Sequence, residues 1–146
     1  AGEDYGYAAF MASVDILVMG RKTFEKVLSF GAWPYGDKPV VVRSRGGLEI
    51  PEHLAPSVEV MAGSPQEVVA RLAGRGAKHV YVDGGETIQG FLRAGLVSQI
   101  ILARIPILIG SGVPLFGPLP HDIQLRHVET RQYPNGIVQS RYEVSE

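Results

Sequence analysis

Ile16-Leu17-Val18-Met19 is a run of four apolar residues that stops abruptly at Gly20. A strand with one face in water alternates polar and apolar residues. A strand covered on both faces, as in a parallel sheet flanked by helices, does not need to. This run therefore points to a layered α/β fold, and the rest of the chain agrees. Arg21 to Phe30 resumes helical spacing through Phe24, Val27 and Leu28, while Pro39 to Val42 and Val58 to Met61 are two more short apolar strands. Upstream, Tyr7, Phe10, Met11 and Val14 predict a short amphipathic helix within Glu3 to Val14.

Ser64-Pro65-Gln66-Glu67 reads as a helix start, with Ser64 as N-cap and Glu67 completing a capping box. That helix should turn Val68, Val69 and Leu72 inward and end near Gly74. His79 to Val82 is the next strand, then Asp83-Gly84-Gly85 leads into a helix through Ile88, Phe91 and Leu92 that stops at Gly95. Gln99 to Leu108 reads as a long central strand leading to Gly110-Ser111-Gly112. Ile123 to Gln132 and Ile137 to Val144 flank Tyr133-Pro134-Asn135-Gly136, a hairpin signal. The pattern predicts one α/β domain over 1–146, mostly parallel, with an antiparallel C-terminal hairpin.

Composition narrows the function. At 146 residues, 45% hydrophobic, the chain suits a single domain with a full core. A formal net charge of −1 argues against a general nucleic-acid binder. The lack of cysteine removes thiolate metal sites, disulfides and a cysteine nucleophile. No apolar run approaches the roughly 20 residues of a membrane span. No signal peptide is visible, so a cytoplasmic location is expected, with neither nucleic acid nor membrane as partner. His53, His79, His121 and His127 show no metal-ligand spacing, so structural or surface roles are expected.

Ligands in open α/β sheets bind where strand C-termini meet helix N-termini. Two junctions have that form: Met19-Gly20 into Arg21-Lys22-Thr23, and Val82-Asp83-Gly84-Gly85 into Glu86-Thr87-Ile88. Glycine lets a bound group approach the backbone, and free amides favour an anion. Arg21 and Lys22 stand in a first helical turn, where the macrodipole disfavours cations. Either an anionic partner or plain solvation explains them. The strand end Arg43-Ser44-Arg45 offers two cations and a hydroxyl, suited to a 2′-phosphate or simply to a basic surface loop. Asp15 and Asp83 read as local backbone acceptors, and Trp33-Pro34-Tyr35-Gly36 as an aromatic loop packed on the core.

Val18 to Glu25 resembles the cofactor-binding junction of dihydrofolate reductases. Tyr81 to Thr87, Phe91 to Val97 and Ile105 to Phe116 resemble the related riboflavin-biosynthesis reductase domains. The resemblance implies a three-layer α/β/α dihydrofolate-reductase-like fold and an NADPH-binding reductase acting on a small pterin or aminopyrimidine. It implies that Gly20, Arg21, Lys22 and Thr23 hold cofactor phosphates, that Arg43, Ser44 and Arg45 face the 2′-phosphate, and that Gly84, Gly85, Glu86, Thr87 and Ile88 cover the pyrophosphate. Asp4 aligns with the carboxylate that binds the pterin and assists protonation, which makes it the catalytic candidate. The family normally begins with a central strand that nothing before Ala1 supplies, so that strand is expected to be missing here. A homodimer is also implied, with Ile100 to Ile109 and the hairpin as its interface, although burial within one subunit explains that apolar run equally well. The alternative function is an NADP(H)-binding or interaction module without turnover.

Overall fold

The computed structural model describes residues 4–112 and 114–145. Its strands form two sheets. In the first, β1 (Ile16–Gly20), β2 (Val40–Arg43), β3 (Val58–Met61) and β4 (Val80–Asp83) are parallel and lie in the order β3-β2-β1-β4. In the second, β5 (Gln99–Arg104), β6 (Leu125–Gln132) and β7 (Val138–Val144) are antiparallel in the order β5-β7-β6. The helices are α1 (Tyr7–Ser13), α2 (Arg21–Leu28), α3 (Pro65–Gly74) and α4 (Gly85–Arg93).

β1 is paired on both sides and covered on both faces, as its unbroken apolar run predicts. Leu17 and Met19 pack with Val40, Val42 and Phe24 of α2, and Phe10 and Met11 of α1 lie against the same cluster. Ile16 and Val18 point the other way, into a cluster with Val41, Val68 and Leu72 of α3 and Phe91 of α4. Helices therefore cover both sides of the parallel sheet, giving the expected three layers. Each fully buried side chain of this kind contributes roughly 1.5–3 kcal/mol, so the two clusters hold most of the stability.

Local signals set the helix starts. Ser64 Oγ accepts from the Glu67 amide at 3.1 Å while Glu67 Oε1 accepts from the Ser64 amide at 3.1 Å, so the capping box of α3 is complete. That exchange also holds the Glu67 carboxyl below its usual range, the Ser64 backbone hydrogen bond being the main cause. Helix α1 begins at Tyr7, later than its predicted span, because Tyr5 and Gly6 both take left-handed backbone angles (φ 58° and 78°). Glu3, the first residue of that span, lies outside the described residues.

One sequence expectation is corrected. The strand foreseen over Gln99 to Leu108 ends at Arg104 and forms an edge of the small antiparallel sheet, not a central strand. Pro106 has no amide to extend the ladder, and the Ile107 amide turns back onto the Ile105 carbonyl at 2.7 Å. The chain beyond becomes a loop whose apolar side chains face outward, Leu108 being 98% exposed. Gln89 of α4 tethers this loop by donating to the Pro114 carbonyl at 2.9 Å. Val113, within the predicted motif, lies outside the described residues. The foreseen hairpin is present: the Gly136 amide bonds to the Tyr133 carbonyl at 2.9 Å, and Asn135 Nδ2 donates to Tyr5 Oη at 2.5 Å.

Candidate functional site

The parallel register brings the two predicted junctions side by side. Met19 pairs with Asp83, so Gly20 and Gly84 follow as neighbours at the C-terminal ends of β1 and β4. Each glycine is followed three residues later by a threonine, and the two threonines cross over. A Cβ on Gly20 would come within 2.7 Å of Thr87 Oγ1, and one on Gly84 would run into Thr23 Oγ1. Gly84 also has φ 96°, a conformation that side-chain-bearing residues avoid. Thr87 is itself 7% exposed, the one buried polar side chain among the described residues.

This interlock sets the N-termini of α2 and α4 next to each other. Neither helix has a side-chain cap on its first amides, so both present free donors and the positive ends of their dipoles. Their charged first-turn residues meet as well, with Lys22 Nζ 3.8 Å from Glu86 Oε1. Arg21 is exposed and leans on Glu25, Nε to Oε1 being 3.7 Å. Gly85 is exposed and Ile88 half-buried on the first turns of α4. Uncapped helix starts of this kind favour an anion, and here they meet in a glycine cradle closed by the two threonine hydroxyls.

The third predicted patch is divided in its commitments. Arg43 is drawn under α4, where Nη2 donates to the Gly63 carbonyl at 2.8 Å and the guanidinium lies 5.8 Å from the Phe91 ring centroid. Its Nε is buried without a hydrogen-bond partner among the described residues. Arg43 nevertheless lines an open groove of about 380 Å³ together with Gln66, Glu86 and Arg93. Ser44 Oγ donates to the Gly46 carbonyl at 3.0 Å, and Arg45 is exposed.

Sequence reasoning missed a cluster beside the cradle. Asp83, read as a backbone acceptor, instead carries its charge towards Tyr35 and Tyr81. Burial first, then the Asp83 carboxylate, pushes both phenols up to about 12. Tyr35 is held by an aromatic chain, with its ring 5.0 Å from Trp33, which in turn lies 5.8 Å from Phe24. A carboxylate beside phenol donors suits the polar edge of a flat heterocycle. The signal in the sequence was Asp83 ending a strand, but its partners are distant along the chain.

Asp15 does act as a backbone acceptor, taking the Lys78 and His79 amides at 2.7 and 2.9 Å. Those bonds, that of His79 foremost, lower its pKa. Asp4 lies apart from the cradle residues in its bonding: its exposed Oδ1 accepts from the Ala8 amide at 3.2 Å at the start of α1. No grouping of three or more metal-ligating side chains occurs among the described residues, and no helix is long and apolar enough to cross a membrane.

A family model described as the RibD C-terminal domain matches residues 7–139. A structure from Shewanella sp. PV-4, provisionally named for riboflavin biosynthesis, has 38% identity and a TM-score of 0.94, over 99% of this chain and 82% of that one. The uncharacterized protein YwjB of Bacillus subtilis (strain 168) is 29% identical over 137 residues, covering 92% of this chain and 76% of its own. A diaminohydroxyphosphoribosylaminopyrimidine deaminase/5-amino-6-(5-phosphoribosylamino)uracil reductase from Thermotoga maritima shares the fold at a TM-score of 0.73 and 11% identity. That match covers 97% of this chain and 48% of the longer one.

Proposed function

This chain belongs to the family of RibD C-terminal domains, and on that premise we propose that it is an NADPH-dependent reductase of a small pterin or aminopyrimidine-type substrate. The observation that supports the reading is the junction pair at Gly20 and Gly84, where the crossed threonines press onto the glycines and set two uncapped helix starts side by side, their first amides available to an anion. The residues fit a dinucleotide. Gly20, Arg21, Lys22 and Thr23 would hold its phosphates together with Gly84, Gly85, Thr87 and Ile88. Arg45, with Ser44 and Arg43 beside it, is available to a 2′-phosphate. When bound, the nicotinamide supplies the hydride.

The rest of the chemistry falls to the chain. Asp83 and Tyr35 orient the substrate's polar edge, the carboxylate accepting and the phenol donating, while burial and then the nearby carboxylate push the Tyr35 phenol up to about 12. Asp4, or a water, is the proton source of this reading. Phe10 packs edge-on against Tyr81 at 5.0 Å, which links α1 to the substrate end. A cytoplasmic location goes with this reading.

Titration with NADPH, followed by quenching of Trp33 and by calorimetry, tests the first step. Steady NADPH oxidation with a pterin or aminopyrimidine tests the second. Saturable binding with turnover is expected. Binding with no turnover across both substrate classes would instead support a nucleotide-binding module, and absence of binding would overturn both readings.

A homodimer is part of the same proposal. Ile105, Ile107, Leu108, Ile109, Leu115 and Phe116 are all at least 40% exposed on one loop, and contiguous apolar surface of that kind marks an interaction site. A second copy is the occupant the family resemblance suggests. Light scattering should give twice the chain mass, with Leu108→Asp returning the monomer. A wild-type monomer at high micromolar concentration would remove the proposal.

A further inference from the structure

We infer that Asp83 and the aromatic rings around it select a substrate with an amidine-type edge. Such an edge carries two adjacent N–H donors on a planar ring that readily takes positive charge. The inference rests on the reductase reading for the reaction, and it commits that reading to one substrate class. An edge of the uracil type, with a carbonyl oxygen on each side of a single N–H, is disfavoured by the same groups. Tyr81 and Asp83 stand two residues apart on β4 and so share one face of the parallel sheet. Met19 pairs with Asp83, and Tyr81 packs with Leu17, Met19 and Phe24, so that face is the one covered by α1 and α2. Asp83 ends it, half-buried, one residue before the junction glycine.

Two pairs of rings line this face. Phe10 meets Tyr81 edge-on at 5.0 Å, and Trp33 meets Tyr35 edge-on at 5.0 Å. The Asp83 carboxylate lies close enough to act on both the Tyr35 and the Tyr81 phenol. Yet it forms no ion pair with any lysine, arginine or histidine among the described residues. A carboxylate drawn partly out of water is costly unless a cation or several donors meet it. The rings supply little donation, but their electron-rich faces attract a cation placed beside them. The surroundings of Asp83 therefore suit a flat cation better than a neutral guest. An ionised carboxylate only accepts, so it takes both N–H groups of an amidine and repels the oxygens of a uracil edge. The same wall holds a second unanswered group. Trp33 Nε1 is buried with no hydrogen-bond partner among the described residues, whereas buried N–H groups are ordinarily paired. A ring that also carries an acceptor, a ring nitrogen or an oxo group, would answer it.

The test sets benzamidine, a planar amidinium, against benzamide, its neutral counterpart of the same shape. Binding is followed by Trp33 fluorescence and by backbone amide NMR shifts, and neither probe needs cofactor or turnover. Wild type should bind benzamidine at least about tenfold more tightly, as a charge-assisted contact does, with shifts centred on Tyr35, Tyr81 and Asp83. Asp83→Asn should remove that preference, and Glu59→Gln, at the opposite edge of the sheet, should keep it. Equal binding of the two probes, a preference that survives Asp83→Asn, or wild-type shifts centred elsewhere would overturn the inference. The shift map is read on the wild type, so it decides the matter even if Asp83→Asn does not fold. Turnover separates the two ideas. Faster NADPH oxidation with an amidine-edged pterin or aminopyrimidine than with a uracil-type ring is expected. The reverse order would overturn the inference and leave the reductase standing. If NADPH does not bind yet the benzamidine preference holds, the reductase reading falls and the amidine site stands.

Discussion

The two sheets of this domain use apolar residues in opposite ways. In the parallel sheet, Leu17, Val18, Met19, Val41 and Val42 are wholly buried, and the strand ends converge on the glycine cradle. Around the antiparallel sheet, Ile101 and Leu125 on its strands and Ile105 to Ile109 in the following loop remain largely exposed. The first sheet is a closed core that positions a site. The second leaves apolar side chains on its surface. Hydrophobicity alone does not separate the two, since what matters is which layer lies over each strand.

The largest effect should separate the cores. Phe24→Ala, in the core beside β1, should lose about 3–5 kcal/mol of unfolding free energy. Leu108→Ala should stay within about 0.5 kcal/mol, both read from denaturant titration of the monomeric state. Equal losses would break the comparison.

Two left-handed glycines sharpen it next. Gly84→Ala forces a Cβ towards Thr23 at φ 96° and should cost about 1–3 kcal/mol, together with more than tenfold in NADPH affinity. Gly136→Ala, at φ 91° in the hairpin with Pro106 Cγ at 3.2 Å, should lower stability while leaving the NADPH Kd unchanged. Loss of NADPH binding in the hairpin variant would mean that the two regions are coupled.

Alkaline titration is a smaller test. Tyr35 and Tyr81 have folded-state pKa values raised from 10.0 to about 12. Their contribution is thus complete below pH 10 and is lost as pH climbs through about 12. Tyr35→Phe and Tyr81→Phe should each flatten that limb by at most about 1 kcal/mol once solvent screening is allowed for. An unchanged limb in both variants would remove the phenol–carboxylate cluster from the description.

The smallest effect belongs to Asp15. Its folded pKa is depressed below 3.8, so its stabilisation is present above that value and fades as pH falls through the folded one. Asp15→Asn should lower the denaturation midpoint at neutral pH, and the difference should close in acid. A midpoint difference that persists in acid would show that the amide bonds do not depend on the carboxylate charge.

Much of the layered core was legible from local chemistry. Ile16 to Gly20 announced a strand covered twice, and Ser64 with Glu67 announced a helix start, because each signal acts within a few residues. Gln99 to Leu108 misled because an apolar run states that water is disfavoured, not which element will cover it, and Pro106 set the real boundary. The two strand–helix junctions were visible as glycine before helix. Their crossed threonines were not, since the contact exists only in the register that sets Met19 beside Asp83. Asp83 was assigned to its own backbone for the same reason. Tyr35 reaches it from another part of the chain through the packing of Trp33 on Phe24.

The crossing of Thr23 over Gly84 and of Thr87 over Gly20 has a consequence for how the molecule assembles. Gly20 ends β1 and Gly84 follows β4, with α2, β2, β3 and α3 between them along the chain, so closing β1 against β4 is a long-range event and a slow one by topology. The cradle exists only after that event. A dinucleotide that binds there would recognise finished molecules and no others, and by mass action it would hold the β1–β4 seam shut. Any ligand of that seam would then protect the folded chain in proportion to its free concentration.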